Sequence, residues 1–191
     1  MKKLSFKIAV VFFLVVTVSM QGQIAVKANA TTLLGYPQIG AEFVLGKKTT
    51  FQIDALASLW KSFNGAPQEF YMVVPEFRYY TSKAMEGFYI GVHVGGSKYR
   101  FQKWNYINTD AYQVGYSVLY GGTIGYQVKI NEHFSLDAFL GGGSQQGYYK
   151  GYSLSTGERY EGKKDYNKSG EWLPYRGGIM VVYKFSKKNE K

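Results

Sequence analysis

Ten residues carry most of the chemistry this sequence offers: Lys27, Asn29, Glu42, Asp54, Glu76, Arg78, His93, Lys129, Asp137 and Arg176. By period-two counting each falls on the small or polar face of a run in which the other face is apolar. Charges enclosed away from water must find partners, because an isolated buried charge is expensive to desolvate. Four acids beside four bases therefore predict a salt-bridged network that fills an interior. A proton or ion path along that interior is the other chemistry such a set could support.

Catalysis has less to draw on. The two histidines are His93, mid-strand on the polar face, and His133, in a short polar turn. A hydrolase or acyltransferase needs a base within reach of its nucleophile. Ser58, Ser62, Ser153, Ser155, Asp110, Glu158, Glu161 and Asp165 are available, but the segments read as outer loops hold no histidine. An enzyme acting on lipid or peptide would need acids such as Asp110 or Glu161 to cooperate, so no catalytic residue is assigned. Gly46-Lys47 is followed by Lys48 where a phosphate loop needs Ser or Thr, and Gly141-Gly142-Gly143 misses the dinucleotide spacing. No cofactor is expected, and no His or Asp cluster has metal-ligand spacing. A basic and aromatic module of the kind that binds nucleic acid is missing as well.

The elements that must position the ten residues are strands. Over 114–130, Val114, Tyr116, Val118, Tyr120, Ile124, Tyr126, Val128 and Ile130 share one face, and Gly115, Ser117, Gly121, Thr123, Gly125, Gln127 and Lys129 the other. A strand bulky and apolar on one side, small and polar on the other, suits a membrane-embedded barrel wall. Strands are expected over 26–34, 38–45, 49–60, 69–80, 88–103, 114–130, 134–150 and 173–185, joined alternately by short and longer links. Ile53, Leu56, Trp60 and Phe63 also fit helical spacing, but the alternation from Phe51 to Leu59 favours strand. The fold class is therefore all-β: a single antiparallel up-and-down transmembrane β-barrel of about eight strands. The 114–130 strand is long enough to project beyond an apolar band of about 25 Å as a hairpin wall.

Composition agrees with that reading. The 18 tyrosines and 13 phenylalanines could furnish aromatic girdles, and the 23 glycines could admit crowded neighbours inside a narrow barrel. Lys2, Lys3 and Lys7 precede a short apolar core over 8–18, so residues 1–23 are expected to be a signal peptide and 24–191 the barrel domain. There is no cysteine, which rules out disulfides, thiolate metal sites and a lipidated cysteine. The expected location is the outer membrane of a Gram-negative bacterium, with the chain a monomer.

Two surface features suggest partners. Lys98 and Arg100, outward by parity, and Lys103, if the strand has ended before it, could contact lipopolysaccharide phosphates at headgroup level. The 151–172 segment, with Tyr152, Tyr160, Tyr166 and Trp172, could bind protein or glycan. A soluble periplasmic barrel around an apolar ligand is the rival arrangement; it would invert the faces and place Tyr116, Tyr120 and Tyr126 inside.

Three stretches carry a family resemblance: VKANATTLLGYPQIGAEFVLGKK, VVPEFRYY over 73–80, and GTIGYQVKINEHFSLDAFLGGG. Together they resemble a domain-of-unknown-function family of small outer-membrane β-barrel proteins from Bacteroidetes, similar in architecture to OmpA and OmpX. The resemblance spans about 26–185. It implies a fold and a location, and no assigned activity. Arg176, Gly178, Val181 and Tyr183 are similarly spaced to the terminal signal read by barrel-assembly machinery, although Ser186, Lys187 and Lys188 follow the last aromatic, Phe185.

Overall fold

The computed structural model describes residues 23–160 and 165–185. The leader expected over 1–23, all but Gln23, lies outside them, as do Glu161 and the tail lysines. Among the described residues the strands are β1 (Ile24–Asn29), β2 (Gln38–Val44), β3 (Thr49–Ala57), β4 (Ser62–Phe63), β5 (Ala66–Tyr80), β6 (Gly87–Phe101), β7 (Ala111–Lys129), β8 (Phe134–Ser153) and β9 (Asn167–Lys184). A single 3₁₀ turn, Trp104–Tyr106, is the one helical element among the described residues.

Every pairing is antiparallel between chain neighbours, except that β4 is a two-residue extension against β5 and β3 pairs directly with β5. β1 then pairs with β9, from Ala25 opposite Lys184 to Asn29 opposite Met180, which closes eight strands into a ring. Closure removes the unpaired edge that an open sheet would leave. The alternation legible in the sequence becomes two surfaces. Lys27, Glu42, Asp54, Glu76, Arg78 and Asp137 are buried inside, whereas Val26, Ile39, Ile53, Phe77, Ile90, Ile124, Leu140 and Val181 are exposed outside. Tyr116, Tyr120 and Tyr126 are 46%, 47% and 54% exposed, so the inverted barrel is excluded.

Several ends differ from the sequence reading, each for a local reason. The first strand stops at Asn29 and not at residue 34, because the Asn29 side-chain oxygen accepts hydrogen bonds from the Thr31 amide (3.1 Å) and hydroxyl (2.6 Å) and turns the chain. The third strand stops at Ala57; the Ser58 hydroxyl, bonded to the Gln68 carbonyl at 2.5 Å and accepting from the Trp60 amide at 3.2 Å, ends it. The segment with helical spacing is strand up to that point. β8 and β9 run further than expected, to Ser153 and from Asn167, so the last loop is 154–166 rather than 151–172. Stacked cross-strand tyrosines, Tyr112 on Tyr152 (5.5 Å) and Tyr116 on Tyr148 (5.3 Å), hold this extension together.

The wall is consequently uneven. β1, β2 and β3 have 6, 7 and 9 residues, against 19, 20 and 18 in β7, β8 and β9. One side of the ring is low and the opposite side rises as the expected hairpin wall.

Packing inside the ring is tightest where β7 meets β8. Gly121 faces Gly143, and a Cβ on Gly121 would sit 2.9 Å from the Gly143 Cα and closer still to the Gly142 carbonyl. A Cβ on the outward Gly122 would meet only the Gly91 carbonyl, at 3.4 Å. Gly121→Leu is therefore expected to reduce sharply the yield of folded, heat-modifiable barrel on electrophoresis, while Gly122→Ala leaves it unchanged.

Candidate functional site

Seven of the ten predicted residues meet as charged members of one network across the bore. Lys27 on β1 forms ion pairs with Glu42 on β2 and with Asp137 on β8, the latter at 2.8 Å. Arg78 on β5 bonds Asp137 through Nη1 at 2.8 Å and Glu76 through Nε at 2.5 Å, and lies 3.9 Å from Glu42. Arg176 on β9 pairs with Asp54 on β3 and Glu76 on β5. Each of these links joins different strands, apart from the Arg78–Glu76 pair two residues apart on β5, so the network braces walls that are far apart in sequence.

Uncharged partners occupy the remaining lone pairs, as buried carboxylates require. The Tyr89 hydroxyl donates to Asp137 at 2.8 Å, and those of Thr50 and Tyr80 donate to Glu42 at 2.6 and 2.7 Å. The Gln52 amide donates to Asp54 at 2.7 Å, and the Asn29 amide donates to Gln38 at 2.8 Å. The Arg78 guanidinium also covers the Tyr89 ring at 4.3 Å.

His93 joins the same system from above. Its Nδ1 lies 3.1 Å from the Thr123 hydroxyl, which donates to Glu76 at 2.9 Å, and its Nε2 lies 2.5 Å from the Tyr175 hydroxyl. Tyr175 reaches the interior because of a bulge: Gly141 pairs with Arg176 but Gly142 with Pro174, so Tyr175 is the unpaired extra residue. Two consecutive side chains, Tyr175 and Arg176, both turn inward as a result.

Lys129 is not part of this network. It has the inward parity, but it is the last residue of β7 and exposed at the end with short turns. Parity assigns a face and says nothing of depth. Another lysine is buried at that end of the bore: Lys184 donates to the Met85 carbonyl at 2.9 Å. Lys184, Tyr80, Tyr89, Thr50, Gln38, Gln52 and Gln127 share the inward parity and are buried, but parity by itself singles out neither an uncharged side chain nor a lysine at a strand end as part of such a network. Tyr175 had only the neighbouring Pro174 to announce it, since proline within a strand marks an irregularity.

The Lys98, Arg100 and Lys103 trio separates. Lys98 and Arg100 are exposed on the outer face of β6, with Arg100 3.6 Å from Glu69. Lys103 lies beyond the end of β6, is buried, and pairs with Glu171 at 2.6 Å. It is a rim tether, and the sequence expectation for it is corrected. In the outer loops, Asp110 accepts from the Ser153 and Ser155 hydroxyls at 2.6 and 2.7 Å and from the Ser155 amide at 2.8 Å. This is a clasp between two loops. Among the described residues no group of His, Asp or Glu could hold a metal ion.

Two expected outcomes follow from this geometry. Arg78→Met would leave buried carboxylates short of their shared partner and is expected to cost about 3–5 kcal/mol, read from urea unfolding of the barrel in lipid vesicles; Lys129→Met should leave the midpoint in place. The Ser153 and Ser155 hydroxyls hold the Asp110 carboxyl below its ordinary value. A depressed carboxyl pKa contributes stability above the unfolded value of about 3.9, lost as pH falls through the folded value. Protection of the Ser155 amide against hydrogen exchange should therefore hold from neutral pH down to about 5 and fall away below about 3.9, with no such step in Asp110→Ala.

A comparison with curated proteins found no match. A family model described as Protein of unknown function (DUF3575) matches residues 7–185, nearly the whole chain. The uncharacterised family anticipated from the three sequence stretches is thus the assignment at this level: the chain belongs to the DUF3575 family of proteins of unknown function.

Proposed function

We propose that this protein is a monomeric outer-membrane barrel of a Gram-negative bacterium, of the OmpA and OmpX architectural type and of Bacteroidetes origin. Its lumen is closed by ion pairs, and its role is non-enzymatic: envelope-structural, or surface interaction through its outer loops. The observation that carries this reading is an apolar outer surface around a bore filled with paired charges. A water-soluble protein arranges these surfaces the other way round.

The dimensions support it. On β7 the outward residues from Val118 to Val128 rise roughly 23 Å at about 3.3 Å per residue and a 45° tilt, close to the apolar band of about 25 Å in such barrels. Aromatics gather near the lower edge of this band, where Phe43, Phe51 and Phe77 are register neighbours, as are Phe88 with Tyr126 and Phe134 with Tyr183. Girdles of this kind suit a membrane–water interface. Turns at one end are short, 45–48, 81–86 and 130–133, and links at the other include 102–110 and 154–166, the asymmetry of periplasmic and external sides. β1 opens at Ile24, beside the expected leader cleavage. The terminal strand is the one that barrel-assembly machinery would read on insertion.

Membrane fractionation combined with electrophoretic heat-modifiability tests the location. Recovery in the outer membrane with a faster-migrating unheated form is expected, and recovery in the soluble periplasm would overturn the proposal. Planar-bilayer recordings should show no steady conductance; discrete channels would replace the plug with a narrow pore.

A further inference from the structure

Above the apolar band, the projecting wall places cations and tyrosines in a repeating order that the closed lumen does not explain. The outward row Lys98, Tyr116, Tyr148, Lys168 runs across β6, β7, β8 and β9 as consecutive register partners. The row above it pairs Val114 with Lys150. Tyr116 and Tyr148 stack at 5.3 Å with 19° between their planes, and Tyr166 meets Tyr116 edge-on at 5.7 Å. Lys150 lies 4.9 Å over the Tyr166 ring and Lys168 5.8 Å over the Tyr148 ring. Lys98, Tyr116, Lys150 and Tyr166 line a common groove of about 310 Å³. Among the described residues Lys98, Lys150 and Lys168 form no ion pair, unlike Arg100.

We propose that this groove binds the phosphorylated sugar headgroup of an outer-leaflet glycolipid. Lys98 and Lys168 stand three strand spacings apart, on the order of 15 Å, a separation suited to two phosphates at opposite ends of a disaccharide. The stacked tyrosines between them offer ring edges and hydroxyls to pyranose rings, and Lys150 adds a third cation beside them. The level also fits: along β7 the row lies two outward positions beyond Tyr120, and along β9 two beyond Trp172, whose 80% exposure suits an interfacial residue. Ammonium groups there would face headgroups and not acyl chains. This site replaces the linear trio on one strand with a surface drawn from four, and it rests on the membrane location proposed above.

Native mass spectrometry of the full chain in detergent micelles, titrated with diphosphoryl lipid A, tests the site. One lipid A per barrel is expected, with binding roughly a hundredfold weaker in Lys98→Gln/Lys150→Gln/Lys168→Gln, and unchanged in the charge-matched control Lys47→Gln/Lys61→Gln/Lys83→Gln. Tyr116→Leu should weaken it as well. Heat-modifiability of each variant reports that the barrel has folded, and the wild-type preference for diphosphoryl over dephosphorylated lipid A needs no variant. Equal binding of the dephosphorylated form, equal binding of phosphatidylglycerol, displacement by inorganic phosphate at equal concentration, or undiminished binding by the triple variant would each overturn the site. A heat-modifiable barrel recovered from the outer membrane that binds no lipid A would reject this site alone; recovery in the soluble periplasm would reject the membrane reading itself.

Discussion

Charge enclosed inside a closed ring of strands, away from water, is the constraint on which this structure depends. Arg78 is buried and touches Asp137, Glu76 and, more distantly, Glu42. None of these groups has bulk water to stabilise it, so each is held by protein partners. Because the partners sit on β1, β2, β5 and β8, satisfying the charges is equivalent to closing the ring. Arg176 repeats the device one layer higher, tying β9 to β3 and β5. Removing a single cation is costly for the same reason that the whole set is tolerated.

That interior also governs what the exterior is free to do. With polar groups consumed inside, the outer surface is left to Val, Ile, Leu, Phe and Tyr. Its upper boundary is where the residue types change: on β6, outward Val92 and Val94 give way to Gly96, Lys98 and Arg100. Above that boundary the tall wall of β6–β9 carries tyrosine stacks and cations, and Lys103 with Glu171 and Asp110 with Ser153 and Ser155 fasten the rim. The low side, β1–β3, has no counterpart to this wall. The surface-interaction role proposed above would fall to that one flank of the molecule.

Much of this was legible from period-two alternation alone. The all-β class, a ring of eight strands, the inward set from Lys27 to Arg176 and the outward tyrosines of β7 all follow from residue type and parity. Nine of the ten residues expected to face the interior are buried. Lys129 failed because parity carries no information about where a strand leaves the bore. The upper ends of β8 and β9 were missed because Gly151, Tyr152 and Ser153 on β8 and 167–172 on β9 read as loop composition, and only partner strands in register, with Tyr112 opposite Tyr152 and Tyr148 opposite Lys168, make them strand.

By itself, then, the sequence determined which face of each strand each side chain would occupy, since a pleated chain alternates whatever its partners are. It determined with it the fold class and the content of the two surfaces. The tertiary structure decided the rest: which acid meets which base, the depth of each residue, the bulge that turns Tyr175 and Arg176 both inward, and the gathering of Lys98 and Lys150 from two strands into one groove, with Lys168 of a third strand over the neighbouring Tyr148 ring. Those depend on inter-strand register, a relation between distant segments that no local pattern encodes.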